Sequence, residues 1–143
     1  MAKLLKTIAW AYLLALCVSV SFAGEKENTA TAAALPWLQL VDSDQKAESW
    51  FQASSDFRGA ASKEQWIHAL DTVRTPLGKL VTRQLKSATY TTKLPNQKPG
   101  EYVVIQYHTS YDKAPEVIET VVMVLEKNGA WKVSGYFIKH ASE

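Results

Sequence analysis

Cysteine is almost absent from this sequence, which has a single one, Cys17, among its 143 residues. Cys17 lies in an apolar N-terminal segment, so the rest of the chain has neither a disulfide nor a thiol nucleophile. A lipid-bearing cysteine would follow a small residue, whereas Leu16 precedes Cys17. We therefore do not expect a lipoprotein, a disulfide framework or cysteine-based catalysis.

The sequence also lacks a run of apolar residues long enough for a membrane helix. The uncharged run from Ile8 to Ala23 has 16 residues, while a bilayer span needs about 20. Lys3 and Lys6 precede this run, and small residues end it, as in a secretory signal peptide. We predict a signal peptide over residues 1–23, export to the periplasm or the medium, and no stable membrane anchor after cleavage at Ala23.

Without this leader, the chain has no excess of charge of either sign. The chain has 16 basic and 14 acidic residues, and removing Lys3 and Lys6 leaves 14 of each. The remaining 120 residues contain no basic run and no interleaving of arginine with aromatic residues. We expect no nucleic-acid partner, because such partners select basic, aromatic-rich surfaces.

The chain after the leader is patterned first for helices. Residues 24–31 are polar, and we predict a flexible lead-in there, followed by one α+β domain over residues 32–143. Apolar residues from Trp37 to Phe51 follow a helical stripe, as one kinked helix or as two consecutive helices. Ser62 to Gln65 predicts a capping box, and the apolar stripe behind it ends before Pro76.

The C-terminal half is patterned for strands. Asn128-Gly129 separates two β-branched runs and favours a two-residue type I′ turn. The predicted pairs across this hairpin are Val124 with Val133, Val122 with Gly135, and Thr120 with Phe137. Helices first and strands afterwards imply an α+β fold, with two or three N-terminal helices packed on a curved four-stranded antiparallel meander sheet.

A series of short motifs recurs in a fixed order along this chain. They are Trp37-Leu38, Ser49-Trp50, Phe57-Arg58, Gln65-Trp66, Tyr102-Val103-Val104 and Trp131 to Lys139. In that order they resemble a family of small exported bacterial proteins catalogued as domain of unknown function 4019, from about Ala32 to Lys139. Asp44 and Lys46 stand where the resemblance leads us to expect glycine and an aromatic residue, at the bend between the first helical pieces.

The resemblance implies a fold but carries no activity and no catalytic residues. The layout of that family is similar to the NTF2-like and cystatin-like cones, in which helices cover a curved sheet. A cystatin-type protease inhibitor is a weaker alternative, because only Val133 and Gly135 match the Gln-x-Val-x-Gly loop of that class.

Residues for catalysis or metal binding are sparse. His68, His108 and His140 are scattered, and no His/Asp/Glu spacing indicates a metal site. The glycines do not form a phosphate loop. We therefore predict no catalytic residues, no metal and no cofactor, and treat an enzyme as the less favoured reading; in that reading a helix would supply the carboxylate, from Asp56 or Asp71.

The facing of the strands defines two sets of candidate site residues. The predicted register places Glu119 outward and a set of aromatic and hydroxyl residues inward. The candidate ligand-pocket residues are Trp66, Tyr107, Thr120, Trp131 and Phe137. The candidate interface residues, on the outer sheet face, are Val121, Met123, Leu125, Tyr136 and Ile138.

These sets support two classes of function. An apolar outer face favours a protein partner, and the simplest partner is a second copy of the chain. We therefore predict an exported, soluble binding or protein-interaction module of unknown ligand. The alternative is a small-molecule enzyme, such as an isomerase, lyase or hydrolase, that uses a pocket inside the cone.

Overall fold

The computed structural model describes residues 24–142, which form four helices and four strands. The predicted signal peptide, its cleavage at Ala23 and Cys17 lie outside the described residues. The helices are α1 (Glu25–Asp42), α2 (Lys46–Gln52), α3 (Ser55–Ala60) and α4 (Lys63–Arg74), and a short 3-10 turn follows at Thr75–Leu77. The strands are β1 (Leu80–Thr91), β2 (Tyr102–Tyr111), β3 (Ala114–Leu125) and β4 (Trp131–His140).

The structure differs from the predicted lead-in, because α1 already begins at Glu25. Ala30 is fully buried in the core, which holds this end of the helix against the sheet. Lys26 forms an ion pair with Glu101, and the Glu27 carboxylate accepts a hydrogen bond from the backbone of Tyr90. These contacts involve residues distant in sequence, so local polarity alone did not indicate them.

The bend between α1 and α2 is centred on Asp44. This residue has a φ of 63°, in the left-handed region where glycine costs least and where aspartate and asparagine are the next best tolerated. The chain thus makes the tight bend with Asp44 in place of the expected glycine. Two separate helices result, and a further short helix, α3, is capped by the Ser54 side chain. The predicted capping box at Ser62 and Gln65 is confirmed at the start of α4.

The fold class is confirmed: the four N-terminal helices pack on one face of an open, four-stranded antiparallel sheet. The strand order is β1-β2-β3-β4, which is the predicted meander. Apolar side chains from α1, α4 and the three strands after β1 form one continuous core. Its most completely buried members are Ala30, Ala34, Leu38, Leu70, Val103, Ile105, Val121, Met123 and Val133.

The hairpin between β3 and β4 closes differently from the prediction. The backbone N–H of Glu126 donates to Ala130 O at 2.9 Å, so the loop has three residues, 127–129, rather than two. Within this loop, Gly129 alone has a positive φ, of 84°, whereas a type I′ turn needs positive φ at both central residues. The prediction of a two-residue turn is wrong.

The longer loop shifts the register by one residue next to the turn. Met123, and not Val124, pairs with Val133, and a bulge at Ser134 restores the predicted pairs of Val122 with Gly135 and Thr120 with Phe137. A shift of one residue exchanges the two faces of a strand. Val133 is therefore buried beneath the helices, while Phe137 lies on the opposite face with 62% of its surface exposed.

The predicted facing of β3 is also wrong, because the helices cover the opposite face of this strand from the one expected. Glu119, Val121 and Met123 point toward the helices and are fully or almost fully buried. The other face of the sheet, which we call the open face, carries Gln84, Ser87, Val104, Gln106, His108, Thr120, Val122 and Phe137 in the middle of the four strands.

Candidate functional site

Glu119 lies at the centre of the helix-covered face and has none of its surface exposed. Its carboxylate accepts hydrogen bonds from Arg83 at 2.6 and 3.1 Å, from the hydroxyl of Thr109 at 3.1 Å and from that of Tyr111 at 3.0 Å. The hydroxyl of Tyr136 donates a further, short hydrogen bond to Oε2. A carboxylate has about four lone-pair positions, so Glu119 is saturated with donors.

Asp42 forms the second anionic centre of the same group. Arg83 donates to both of its oxygens, at 2.7 and 2.9 Å, and Arg74 donates to Oδ1 at 3.0 Å. Arg74 also donates to the hydroxyl of Tyr136 at 3.2 Å, and its guanidinium lies 4.8 Å from the ring centroid of Tyr111. Arg83 therefore bridges two carboxylates, and Arg74 connects Asp42 to the hydroxyls around Glu119.

We call these seven residues the buried polar cluster: Asp42, Arg74, Arg83, Thr109, Tyr111, Glu119 and Tyr136. Their positions follow from the alternation of strands and from the ends of two helices. Thr109 and Tyr111 share the inward side of β2 with the buried Tyr107, because residues two apart point to the same face. Asp42 ends α1 and Arg74 ends α4, so the two helix ends meet above the sheet.

Charge neutralisation in this cluster changes the pKa values of its members. Burial alone would raise the pKa of Asp42, but the hydrogen bonds and charge of Arg83, and then those of Arg74, bring it below its usual value. Burial and the neighbouring Glu119 raise the pKa of Tyr111 to about 12. The same two causes raise the pKa of Tyr136 well above that of a free tyrosine. At neutral pH both hydroxyls therefore keep their protons and donate hydrogen bonds to Glu119.

The hydrogen bonds made within this cluster limit the chemistry that it can perform. Glu119 already accepts five hydrogen bonds, and Asp42 is shared between two guanidinium groups. A small cleft of about 150 Å³ is lined by Asp42 and Arg74, but Glu119 stays fully buried behind it. A general base needs a free lone pair within reach of substrate, and Glu119 does not present one.

Aromatic side chains fill the space beside the cluster. The ring of Tyr136 contacts Trp37 and Trp66 at centroid distances of 5.4 and 6.2 Å. The indole N–H of Trp66 donates to the Ser49 hydroxyl at 2.9 Å, and that of Trp37 donates to the Ser49 carbonyl at 2.8 Å. Both of these indole N–H groups are thus satisfied inside the domain.

The five candidate pocket residues do not converge on one cavity. Trp66 and Tyr107 are buried in the core, and the Tyr107 hydroxyl is buried without a hydrogen-bond partner. Thr120 and Phe137 lie on the open face. Trp131 is half-buried and lines a groove of about 210 Å³ between α1, α2 and β4, together with Trp37 and Met123.

The five candidate interface residues lie on the helix-covered face instead of the outer face. Val121 and Met123 are buried beneath the helices. Leu125, Tyr136 and Ile138 are partly buried on the same side of the sheet. The cause is that the helices cover the other face of β3 from the one predicted, so these five residues do not form an exposed patch.

The other candidate ionisable groups lie at the surface. Asp56 pairs with Lys98 at 2.8 Å, and Asp71 pairs with Lys46 at 2.5 Å. His108 is exposed on β2. Between residues 24 and 142, no group of three or more His, Cys, Asp or Glu side chains is arranged to hold a metal ion.

Two members of the buried polar cluster were named from the sequence, Glu119 as an outward residue and Tyr136 as an interface residue, and neither was joined to the other members. Two signals pointed to the others: Thr109 and Tyr111 continue the inward alternation of β2, and Asp42 follows directly after the apolar stripe of α1. Arg74 and Arg83 both bind Asp42, a pairing between residues far apart in the sequence.

Comparisons with known proteins place the chain in a family. Within residues 24–142, no helix is both long and apolar enough to span a bilayer. A search of curated proteins found no match, and a search of solved structures found none either. The profile of the family described as "Protein of unknown function (DUF4019)" matches residues 33–136. This match covers most of the chain, and the protein therefore belongs to the DUF4019 family.

Proposed function

We propose that this protein is an exported binding or protein-interaction module that acts through its surface rather than through its interior. The observation that carries this proposal is the saturation of Glu119, which accepts five hydrogen bonds at the position where a catalytic carboxylate would need a free lone pair. The surrounding tryptophans fill the space that a substrate would occupy.

The open face supplies a surface for such binding. Phe137 is 62% exposed in the middle of a strand, and its ring lies over Gly135, where an added Cβ would approach a ring carbon to 3.0 Å. The ring thus presents one face to solvent, beside the half-buried Thr120 and Val122. Aromatic residues are enriched at protein interfaces because they bury a large apolar area with few rotatable bonds.

A photo-crosslinking experiment tests this proposal. A benzophenone amino acid is placed at position 137 of the exported protein in a bacterial host, and at position 51 as a matched control, since Phe51 is 51% exposed on α2. We expect a defined covalent adduct from position 137 and none from position 51. Equal adduct patterns from the two positions would overturn the assignment to the open face.

The groove lined by Trp131 supports a second candidate, which is the binding of a small apolar molecule. Its floor is formed by Trp37, Met123 and Val133, and Glu48 and Gln52 from α2 line one side. Native mass spectrometry of the gently purified protein tests this candidate. A stoichiometric added mass that disappears in Trp131→Ala would support a carrier, and an unliganded mass in both proteins would contradict it.

A further inference from the structure

The open face has the composition of a protein interface. Its middle row across the four strands consists of Ser87, Gln106, Thr120 and Phe137, which are paired in register. The adjacent row toward the hairpin turn contains Thr89, Val104, Val122 and Gly135. These two rows are uncharged. Glu116 lies at one end of the face and Lys132 at the other, and Lys139, which is exposed on the edge strand β4, lies in the row on the Glu116 side of Phe137. Interfaces show the same arrangement of an uncharged centre inside a charged rim.

The size of this face fits a specific complex. Four strands about 4.8 Å apart and roughly ten residues long at about 3.3 Å each cover on the order of 600 Å². Two such faces would bury about 1,200 Å², which is the lower end of the range for specific protein interfaces. A contact of this size is stable only when the two surfaces match closely.

Two charged residues of the face, Glu116 and Lys132, are placed to pair with those of a second copy. A twofold axis that runs across the strands along the row of Phe137 would place this ring against the Phe137 ring of the second copy. The same rotation exchanges the two ends of β3 and β4. Glu116, near the start of β3, would then lie beside Lys132, at the start of β4, of the other copy. Both symmetry-related pairs would be of opposite charge.

We propose that the open face is the interface of a homodimer, with Phe137 on the twofold axis and Glu116 of each copy beside Lys132 of the other. This inference rests on the proposed function, because it names the partner of the same surface. It differs from the dimer expected from the sequence, which used residues that the helices cover.

Sedimentation velocity over a range of concentrations tests the dimer. The wild-type protein is compared with Phe137→Glu and with the matched control Phe51→Glu, since both phenylalanines are more than half exposed and neither substitution is expected to prevent folding. We expect dimers for the wild type and for Phe51→Glu, and monomers for Phe137→Glu. A wild type that stays monomeric at 100 µM, or a dimer that persists in Phe137→Glu, would overturn the proposal.

Charge reversal tests the orientation of the two copies. Glu116→Lys and Lys132→Glu should each raise the dissociation constant severalfold, because each substitution turns two symmetry-related pairs of opposite charge into pairs of like charge. The double variant should return the dissociation constant to within about twofold of the wild-type value. Additive weakening in the double variant would exclude this pairing.

The outcomes also separate this inference from the proposed function. A monomeric wild type that still forms a defined adduct at position 137 with a different envelope protein would overturn the homodimer alone. The absence of any adduct at position 137 in a monomeric protein would overturn both.

Discussion

At the scale of single residues, Glu119 determines the chemistry of the domain interior. Its carboxylate is fully buried and is stabilised by Arg83 and by three hydroxyl groups. Charged groups in a protein interior persist only when they are paired and hydrogen-bonded. Each partner of Glu119 therefore holds the charge in place, and the loss of any one leaves it partly uncompensated.

Replacement of this carboxylate gives the first prediction. Glu119→Gln should lower the free energy of unfolding by about 3–5 kcal/mol, because removing one member of a buried ion pair leaves Arg83 without its full set of acceptors. Glu64→Gln on α4 is the control, since Glu64 is exposed and should change the stability by no more than about 1 kcal/mol. Urea unfolding of both variants measures the difference. Similar values for the two would show that the cluster does not stabilise the fold.

Two tyrosines provide a second, matched comparison. Tyr136 donates to Glu119 and accepts from Arg74, whereas the buried hydroxyl of Tyr107 has no hydrogen-bond partner. Tyr136→Phe should destabilise the protein by about 1–3 kcal/mol, since two polar groups lose a partner. Tyr107→Phe should be neutral or stabilising, because it removes an unsatisfied hydroxyl. A larger loss from Tyr107→Phe, measured by the same urea unfolding, would contradict this assignment.

At the scale of secondary-structure elements, turn geometry decides which face of a strand is buried. The three-residue loop at 127–129 and the bulge at Ser134 shift β4 by one residue and then shift it back. Between the loop and the bulge lies the short segment in which Val133 points into the core. After the bulge, Phe137 lies on the opposite face, so these two local features place Val133 and Phe137 on opposite sides of the sheet.

Two glycines with positive φ give the third prediction. Gly78 has a φ of 80°, and a Cβ there would lie 1.7 Å from the Asp112 carboxylate, which accepts a hydrogen bond from Lys79 N. Gly129 has a φ of 84° and nothing within 4 Å of such a Cβ. Gly129→Ala should therefore show only the cost of the left-handed backbone, about 1–2 kcal/mol. Gly78→Ala adds a steric clash and the loss of the Asp112 contact.

Thermal and urea unfolding of these two variants test this contrast. We expect a clearly lower unfolding midpoint for Gly78→Ala than for Gly129→Ala, because only the first displaces a side chain that holds the chain before β1. Equal midpoints would mean that Asp112 relaxes without cost, and that backbone strain alone determines both effects.

At the scale of the whole molecule, the buried polar cluster links nearly every layer of the fold. Asp42 and Arg74 come from the ends of α1 and α4, and Arg83 comes from an edge strand. Their ion pairs join the helices to the sheet at the end away from the hairpin turn. The stability of the domain should therefore depend on the ionisation of Asp42.

The pH dependence of folding is the fourth prediction. The folded state lowers the pKa of Asp42 through Arg83 and Arg74, so its contribution is present above the unfolded pKa of about 3.9 and is lost as the pH falls through the folded value. The free energy of unfolding should thus decrease below about pH 4. In Asp42→Asn this contribution to the decrease should be absent. Urea unfolding between pH 3 and pH 7 gives the slope of the free energy of unfolding against pH for the wild type and for the variant. Identical slopes would exclude Asp42 as a source of acid sensitivity.

The sequence by itself determined the order of helices and strands, the capping box of α4 and the antiparallel meander. These features depend on periodicity and on residues close in the chain, such as Ser62 and Gln65, whose capping interaction needs no distant partner. The family resemblance followed from the order of motifs, and the match over residues 33–136 confirms it. The likeness to NTF2-like and cystatin-like cones stays a prediction.

Only the tertiary structure decided which residues meet inside the domain. The facing of Val133 relative to Phe137 depended on the additional loop residue at 127–129 and on the bulge at Ser134, and both turn geometries are compatible with an Asn-Gly pair. The packing of the helices decided which face of β3 is buried. The buried polar cluster joins Asp42, Arg83 and Glu119, which are far apart in the sequence. Local patterns contain no information on such distant pairs, because burial and ion pairing are decided when helices and strands pack together.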